Sequence, residues 1–270
     1  MTTGDVPRFA GKVAIVTGST ADPSIGRSCA VRLAEEGASV VINGRSSEQL
    51  RAAEHQLRDA GLAVAGVVGS LDDDTTVTDL VDTALDRFGS VDLIVNTVGG
   101  APFPGPVWEM DRRSLIDTFS LNTWPTVALV KEAMARGLAD GDGNAVVNIS
   151  SGSPNKTTPS MIAYAAAKAA LNALTRTMAA DAGRRGVRVN AVSPGLTRTT
   201  ATRDMWEADG GVGAGSHLLL RRLTTADDIA SAALFLLSDD ARQITGVVLD
   251  VDGGNHLQGG GWSPFAAAPQ

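Results

Sequence analysis

The pentapeptide YAAAK, Tyr164 to Lys168, holds the two side chains best suited to acid–base chemistry. On a helix, residues four apart lie on one face about one turn apart, so the phenol and the ammonium can reach a common point. A tyrosine with a pKa of about 10 exchanges protons poorly at neutral pH, and a nearby cation lowers that pKa by roughly 1–3 units. The pair therefore predicts a general acid/base in which Lys168 depresses the pKa of Tyr164, the sole tyrosine of the chain.

Residues for competing chemistries are sparse. The sequence has neither the GxSxG pattern of a hydrolase nor the GxxxxGK[ST] loop of a nucleoside triphosphatase. His55, His217 and His256 are too scattered in sequence to suggest zinc, and DVDGG at 250–254 lacks the later ligands of a calcium loop. We therefore expect no metal site, and hydrolase and metalloenzyme functions are disfavoured.

The elements that must position the Tyr–Lys pair alternate regularly. Seven short apolar runs, rich in β-branched residues, alternate with six longer amphipathic segments. The runs are KVAIVTG, ASVVING, LAVAGVV, VDLIVNT, NAVVNIS, VRVNAVS and VVLDVDG, and the segments are 24–37, 46–61, 73–89, 111–138, 160–183 and 226–238. Continuous apolarity indicates strands buried on both faces, and right-handed crossovers cover both sides of a parallel sheet. The sequence predicts a doubly wound α/β fold with a seven-stranded parallel sheet and helices on both faces.

We expect one domain over residues 1–270, with a core of about 9–255 and a tail at 256–270. The stretch 196–225 lacks a strand signal and contains GGVGAG at 210–215. An open α/β sheet carries mobile segments over its ligand crevice, so 196–225 is a candidate substrate lid. A glycine-rich surface loop without a role is the alternative.

Composition restricts the partners. The chain is 43% hydrophobic and 20% charged, and its formal net charge of −7 disfavours binding to nucleic acid. The lone Cys29 is expected to be a small core residue. The N-terminal residues resemble no signal peptide, and no run reaches the length of a membrane helix, so we expect a cytoplasmic protein with no membrane partner.

The loop at 17–28, TGSTADPSIGRS, is placed to cradle a phosphate group after the first strand. Ser24 can cap the following helix, whose free N–H groups and dipole attract phosphate. The carboxylate of Asp22 would repel a pyrophosphate, so we expect it to face solvent, with Pro23 stiffening the turn.

Several motifs, in this order and spacing, resemble the short-chain dehydrogenase/reductase family over about residues 9–255. They are the TG…IG loop, NTVG at 96–99, Asn122 in SLNTW, NISS at 148–151, YAAAK at 164–168, SPGLTRT at 193–199 and ITGVVLDVDGG at 244–254. The family match includes a serine, Ser151, thirteen residues before the tyrosine. The resemblance implies a Rossmann fold and an NAD(P)-dependent oxidoreductase.

The resemblance also implies roles for four residues. Tyr164 would exchange the proton with the substrate oxygen, and Lys168 would lower its pKa and hold the nicotinamide ribose. Ser151 would hydrogen-bond the substrate oxygen. Asn122 would hold a water that links Lys168 to solvent. Ser150 and Ser153 compete with Ser151, and Asn122 could instead satisfy a neighbouring backbone group.

By resemblance, the cofactor would contact a larger set of residues. Besides Tyr164 and Lys168, the set is Gly18, Ser19, Ser24, Ile25, Gly26, Arg45, Ser46, Leu71, Asn96, Val98, Gly99, Pro194, Gly195 and Thr197. The sequence departs from the family at several of these places. Five residues separate Gly18 from Ser24 where three are usual, and Ser24 replaces the middle glycine. NTVG replaces NNAG, and Ser70 stands where the family has an adenine-binding Asp, with Asp72 as a shifted substitute.

The end of the second strand indicates which nicotinamide is used. An acid there accepts hydrogen bonds from the ribose 2′-hydroxyl of NAD and repels a 2′-phosphate. This chain has Gly44 at that position and Arg45 next to it, followed by Ser46 and Ser47, one of which would cap the next helix. A guanidinium suits a phosphate, so NADP(H) is favoured, with NAD(H) as the second candidate.

The leading hypothesis is an NADP(H)-dependent enzyme that transfers hydride between nicotinamide and a ketone or secondary alcohol, resembling the 3-oxoacyl-thioester reductases. Met205, Trp206 and Leu218 to Leu220 suggest an apolar substrate, or serve only to dock the lid. An enoyl-thioester reductase is an alternative, because those relatives share a long first loop, but their tyrosine position is Met161 here. A catalytically silent NADP-binding sensor or scaffold is the alternative from another class.

Family members are often tetramers that pair their two long helices, here 111–138 and 160–183. The small-residue sequence AYAAAKAALNAL permits close helix approach. We therefore expect a homo-oligomer, either a tetramer or a dimer.

Overall fold

The strands form where branched apolar residues run without interruption. The structure is a computed structural model that describes residues 6–138, 143–156, 158–207, 215–216 and 218–258. Its strands are β1 Val13–Val16, β2 Ser39–Gly44, β3 Val64–Val68, β4 Leu93–Asn96, β5 Asn144–Ile149, β6 Val187–Pro194, β7 Thr197–Arg198, β8 Thr224–Thr225 and β9 Val248–Val251. Seven of them form one sheet in the order β3-β2-β1-β4-β5-β6-β9, with every pairing parallel. The predicted seven-stranded parallel sheet is confirmed.

The helices cover both faces of this sheet, as predicted. They are α1 Ile25–Glu35, α2 Ser47–Asp59, α3 Asp74–Phe88, α4 Arg112–Arg136, α5 Ile162–Gly183, α6 Arg203–Glu207 and α7 Ala226–Leu237. One apolar core unites the buried sides of α1, α2 and α7, and a second unites those of α3, α4 and α5. Burial of these two cores in a close-packed interior is the main force that holds the layers together.

The strand order reverses beside β1, because β2 lies on one side of it and β4 on the other. Ile15 on β1 pairs with Val41 on β2 and with Ile94 on β4. In open α/β sheets the connections from such neighbouring strands lead in opposite directions, which leaves a crevice outside their carboxyl ends. The candidate site therefore lies after Val16 and Asn96.

The candidate lid contains a strand pair that its sequence did not indicate. β7 and β8 pair in parallel, with Thr197 opposite Thr224 and Arg198 opposite Thr225. The prediction of a stretch without strands was wrong at its two ends, because two-residue strands are too short to show a hydrophobic period. Residues 208–214 and 217, which include most of GGVGAG, and the tail beyond 258 lie outside the described residues.

No helix in the described ranges combines the length and the apolarity that a membrane span requires.

Candidate active site

The glycine-rich loop brings the start of α1 against the end of β1. Gly18 adopts a positive φ of 60°, and Ser24 caps α1 by accepting a hydrogen bond from the Arg27 backbone N–H at 3.1 Å. A Cβ on Gly26 would lie 2.5 Å from the Gly18 carbonyl oxygen and 2.9 Å from that of Thr17. The helix therefore approaches so closely that residue 26 must be glycine. The predicted serine cap is confirmed.

Replacing Gly26 by Ala is expected to weaken binding of a nicotinamide cofactor at least tenfold. The added Cβ must displace backbone atoms of the loop, and this moves the N–H groups at the start of α1 that would face a pyrophosphate. Titration of purified protein with NADPH, followed by cofactor fluorescence, measures the effect. The control is Gly183→Ala in α5, where an added Cβ meets nothing within 4 Å. Equal dissociation constants for the two variants would contradict this account.

Asp22, the acid within the lengthened loop, is exposed to solvent and does not border the cleft. The expectation that its carboxylate faces away from the phosphate position is confirmed. The loop thus adds length without placing a negative charge beside the cleft.

A cleft of about 480 Å³ opens over this loop at the carboxyl ends of β1, β2 and β4. Nine of the predicted cofactor contacts border it, namely Gly18, Ser24, Ile25, Gly26, Arg45, Ser46, Leu71, Val98 and Gly99. Ser46 also caps α2 by accepting a hydrogen bond from the Gln49 backbone N–H at 3.3 Å. Asp72, the shifted substitute for the missing adenine-binding acid, borders the cleft and accepts a hydrogen bond from Ser70 at 3.3 Å.

Two predicted contacts, Ser19 and Asn96, do not border the cleft, because their side chains turn into the fold. Ser19 is fully buried, and its hydroxyl donates to the Val16 carbonyl oxygen at 2.9 Å. Asn96 donates from Nδ2 to Oδ1 of Asn148 at 2.9 Å, which ties β4 to β5. Both residues support the walls of the cleft from behind.

The three predicted contacts from the end of β6 onward, which are Pro194, Gly195 and Thr197, also lie away from this cleft. Gly195 packs against Asp252, since a Cβ there would lie 2.8 Å from the Asp252 Cβ. Thr197 is buried and donates to the Gly195 carbonyl oxygen at 3.0 Å. The segment instead reaches the cleft two and four residues later, through Thr199 and Ala201.

Several other residues of the cleft were not predicted from the sequence. They are Thr20, Ala21, Asn43, Gly44, Gln49, Gly69, Thr97, Leu121 and Pro125. Thr97 carried a signal, because it replaces an Asn of the family motif. Its Oγ1 donates to the Thr17 carbonyl oxygen, and its backbone N–H donates to Thr17 Oγ1 at 3.0 Å. Leu121 and Pro125 lie on α4, and only the packing of that helix brings them to the cleft.

The structure brings the predicted catalytic side chains together at the carboxyl end of β5. The hydroxyl groups of Tyr164 and Ser151 are hydrogen-bonded, and Ser151 Oγ donates to Ser153 Oγ at 3.0 Å. Lys168 Nζ lies 5.8 Å from the centre of the Tyr164 ring. Ser150 turns the other way and is buried, with its hydroxyl 2.5 Å from Asn172 Oδ1. Of the three candidate serines, Ser150 therefore faces away from the tyrosine.

The electrostatics of the pair differ from the sequence expectation. Burial raises the pKa of Tyr164, and the hydrogen bond with Ser151 lowers it by less. Lys168 is 3% exposed, and burial lowers its pKa to about 8. Its ammonium donates to the Ile149 carbonyl oxygen at 2.9 Å instead of to the phenol, so the predicted depression of the Tyr164 pKa is not found. Tyr164 is consequently a protonated phenol at neutral pH, ready to donate.

Asn122 and Lys168 lie side by side against Gly99. A Cβ on Gly99 would lie 2.5 Å from Asn122 Oδ1 and 2.9 Å from Lys168 Nζ. Asn122 accepts from the Gly100 backbone N–H at 3.0 Å and donates to the carbonyl oxygens of Gly100 and Thr118 at 2.8 and 2.7 Å. It therefore hydrogen-bonds neighbouring backbone groups, which was the alternative role predicted for it. It also lies next to Lys168. Gly99 borders the cleft, so it joins the cleft to the Ser–Tyr–Lys cluster.

Comparison with known proteins shows to which protein family the chain belongs. Residues 18–256 match the family model described as "Enoyl-(Acyl carrier protein) reductase". Dehydrogenase/reductase SDR family member 4 of Caenorhabditis elegans is 35% identical over 254 residues, which cover 92% of this chain and 96% of the relative. This chain belongs to the short-chain dehydrogenase/reductase family. It is accordingly an oxidoreductase.

Two further proteins agree with this membership. Tropinone reductase-like 3 of Erythroxylum coca is 36% identical over 256 residues, which cover 92% of this short-chain dehydrogenase/reductase and 94% of the relative. A solved structure of a blue fluorescent protein from a metagenomic library, in complex with NADPH, has a TM-score of 0.82 and 29% identity. That match covers 92% of this chain and 98% of the other. The doubly wound Rossmann fold is confirmed.

The residues of the cleft fit a nicotinamide dinucleotide, the cofactor class of the family. The close Gly18–Gly26 approach leaves no room for a side chain, and it exposes the capped N-terminus of α1, which suits a pyrophosphate. Arg45 and Ser46 would lie at the ribose that carries the 2′-hydroxyl or 2′-phosphate, and Lys168 would lie at the nicotinamide ribose. When bound, the nicotinamide supplies or accepts the hydride. The protein contributes a protonated phenol, a serine hydroxyl beside it and a buried amine.

Proposed function

We propose that this chain is an NADP(H)-dependent carbonyl reductase or alcohol dehydrogenase that acts on a ketone or secondary alcohol, with 3-oxoacyl thioesters or other apolar carbonyl compounds as substrates. The observation that carries the proposal is the cluster of Tyr164, hydrogen-bonded to Ser151, one helical turn from Lys168. Tyr164 would donate its proton to the carbonyl oxygen, and Ser151 would stabilise the charge that develops there. In the reverse direction the same groups would accept the proton.

The description of the matching family model names enoyl reduction, so the alternative needs a specific argument. Enoyl-thioester reductases would place their tyrosine seven residues before the lysine, at Met161 here. Met161 is the residue that precedes α5, and its thioether cannot donate a proton. Tyr164 instead lies within reach of Ser151, as carbonyl reduction requires. A silent sensor would need none of these three side chains.

The experiment that tests the proposal is a substrate panel. Purified protein would be mixed with NADPH or NADH and with ketones, 3-oxoacyl thioesters and 2-enoyl thioesters, and oxidation would be followed at the nicotinamide absorbance. We expect turnover with ketones or 3-oxoacyl thioesters and none with enoyl thioesters. Turnover of enoyl thioesters alone would favour the second enzyme, and cofactor binding without any turnover would favour the sensor.

The preference for NADP(H) is supported by the space at the end of β2. A Cβ on Gly44 would lie 2.3 Å from Thr20 Cγ2 and 2.7 Å from Thr20 Oγ1. Thr20 therefore fills the volume that the NAD-binding acid of other relatives would need. Arg45 borders the cleft, is exposed, and forms no ion pair among the described residues. Its guanidinium is thus free to pair with a 2′-phosphate.

Replacing Arg45 by Ala is expected to weaken NADPH binding by roughly ten- to a hundredfold and to leave NADH binding nearly unchanged, since a hydrogen-bonded charge pair contributes about 1.5–3 kcal/mol. Fluorescence titrations with both nucleotides measure the ratio of the NADPH and NADH dissociation constants. Arg51→Ala is the matched control, because Arg51 is an exposed arginine of α2 that does not border the cleft. An equal loss for both nucleotides would contradict the proposed preference.

Exposed apolar side chains support an apolar substrate. Met205, Leu219 and Leu220 in the lid are 62%, 55% and 69% exposed. Leu218, in contrast, is buried against Gly253 and docks the lid. The two predicted roles, substrate lining and lid docking, therefore fall to different residues of this segment. The loop after β4 adds Val107 and Trp108, which are 60% and 82% exposed. Lipid-like acyl chains or aryl ketones suit such surroundings better than free sugars.

We propose that the protein is a homo-oligomer, a tetramer or a dimer, that buries exposed apolar side chains of α4. Leu115, Ile116, Phe119 and Trp124 on this helix are each at least 40% exposed. Exposed apolar side chains clustered on one helix are typical of a subunit interface. Light scattering at micromolar concentration is expected to give a multiple of the 27.7 kDa chain mass. A monomer under these conditions would contradict the proposal, whereas Phe119→Glu is expected to dissociate the oligomer.

A further inference from the structure

The lengthened glycine-rich loop touches the start of the lid. The backbone N–H of Thr200 donates to the Pro23 carbonyl oxygen at 2.9 Å, and Thr200 Oγ1 donates to the same oxygen at 3.2 Å. The two residues lie 177 positions apart in the sequence. One carbonyl oxygen thus receives two hydrogen bonds from one residue of the opposite segment.

This contact joins two walls of the cofactor cleft. Thr20, Ala21 and Ser24 border the cleft on the side of the loop, and Thr199 and Ala201 border it on the side of the lid. Pro23 and Thr200 stand next to these lining residues in sequence. The Pro23–Thr200 contact therefore bridges the walls at the cleft.

Both ends of the bridge are anchored. On the lid side, Thr202 Oγ1 donates to the Thr197 carbonyl oxygen, Thr199 accepts from the Trp206 indole at 3.3 Å, and Thr197 is held in the pairing of β7 with β8. On the loop side, Ser24 is fixed as the cap of α1. Since neither segment is loosely attached, breaking the contact is the least costly way to part the two walls.

We propose that the Pro23–Thr200 contact is a strap across the cleft that must open when NADP(H) enters or leaves, and that Thr200 is the positioning residue that closes it. The inference rests on the proposed function, because the occupant of the cleft is the nicotinamide cofactor. It also assigns a purpose to the unusual loop. The two residues added between Gly18 and Ser24 supply the chain that reaches the lid, and the Pro23 carbonyl is the point of attachment.

The variant Thr200→Pro removes both donors while it keeps the local backbone. Thr200 is the first residue of the helical turn Thr200–Thr202, a position that favours proline. Thr199 before it is extended, with φ −140° and ψ 166°, which suits a residue that precedes proline. The proline ring would occupy the position of the N–H, so the strap cannot close. Thr200→Ser, which retains both donors, is the matched control.

Stopped-flow mixing with NADPH measures association and dissociation separately. A strap predicts that both rate constants rise about tenfold in Thr200→Pro, because two hydrogen bonds no longer have to break, while the dissociation constant changes less than either rate. Thr200→Ser should match the wild type. Unchanged rates in a folded Thr200→Pro protein would overturn the proposal. A faster dissociation with unchanged association would also overturn it, since that result indicates a direct contact with the cofactor.

Hydrogen exchange without any nucleotide separates this inference from the proposed function. In the wild type the Thr200 amide is expected to exchange slowly, and the amides of residues 20–22 and 24 are expected to exchange faster in Thr200→Pro than in Thr200→Ser. Rapid exchange of the Thr200 amide in the wild type would overturn the strap itself. A wild type with a protected Thr200 amide that bound neither NADPH nor NADH would overturn the proposed function, and with it the role of the strap in cofactor release.

Discussion

Tyr164→Phe is expected to reduce carbonyl turnover by about 10²–10⁴-fold, the range that a positioned proton donor contributes. The phenylalanine keeps the ring and removes the phenol hydroxyl, the assigned proton donor, which is hydrogen-bonded to Ser151. Because burial raises the pKa of Tyr164, the wild-type group is protonated throughout the neutral range and can donate there. Steady-state kinetics with NADPH and a ketone measure the effect as kcat.

The loss must fall on kcat and not on cofactor affinity. The dissociation constant for NADPH should therefore stay within about threefold of the wild type, because the cleft over the glycine-rich loop is untouched. Ser153→Ala is a control, since Ser153 accepts from Ser151 without bonding Tyr164 in this structure. Retention of full activity in Tyr164→Phe would exclude the assigned proton donor.

Lys168→Met is expected to lower turnover about as strongly as Tyr164→Phe does. It should do so without destabilising the protein at neutral pH. Lys168 is buried with its pKa lowered to about 8, against about 10.4 in the unfolded chain, so its charged form costs the fold free energy below pH 8. Methionine has a similar length and no charge to desolvate. The variant should therefore unfold at a urea concentration equal to or above that of the wild type.

The same pKa shift predicts how the difference in the free energy of unfolding between Lys168→Met and the wild type changes with pH. Between about pH 8 and pH 10 the unfolded wild type retains the Lys168 proton that the folded protein has released, so wild-type stability rises with pH across this window. The stability of Lys168→Met relative to the wild type is expected to fall across this window by up to about 3 kcal/mol, which is the free energy that corresponds to the Lys168 pKa shift. Urea unfolding of both proteins at several pH values measures it. A difference that stays constant from pH 7 to about 10 would show that Lys168 does not titrate in this range.

Much of the fold could be predicted because the strands of a buried parallel sheet consist mostly of apolar residues. VAIV, VVLDV and the runs between them stand out for that reason, and their alternation with helices implies the crossovers. The spacing of Tyr164 and Lys168 predicted their shared helix face correctly. Ser24 as a cap was also correct, since a serine before a helical segment has few other roles.

The direction of individual side chains was less accessible to sequence reasoning. Ser19 and Asn96 were predicted to meet the cofactor, and the side chains of both turn inward, because a hydrogen-bond partner inside the fold holds each of them. Thr199 and Ala201 reach the cleft instead of Thr197 for the same reason, as the β7–β8 pair holds Thr197 in the interior. The direction of the Lys168 ammonium depends on the Ile149 carbonyl across the layer, which no local pattern reveals.

The most direct test of the central claim follows the hydride. Purified protein would be incubated with a 3-oxoacyl thioester and with the matching 2-enoyl thioester, each with NADPH deuterated at both C4 positions, and the products would be analysed by mass spectrometry. The Ser151–Tyr164–Lys168 geometry predicts deuterium on the carbon that carries the new hydroxyl group and no reaction of the enoyl compound. Deuterium on the β-carbon of a saturated thioester, or its absence from every product, would contradict the assignment of this chain as a carbonyl reductase.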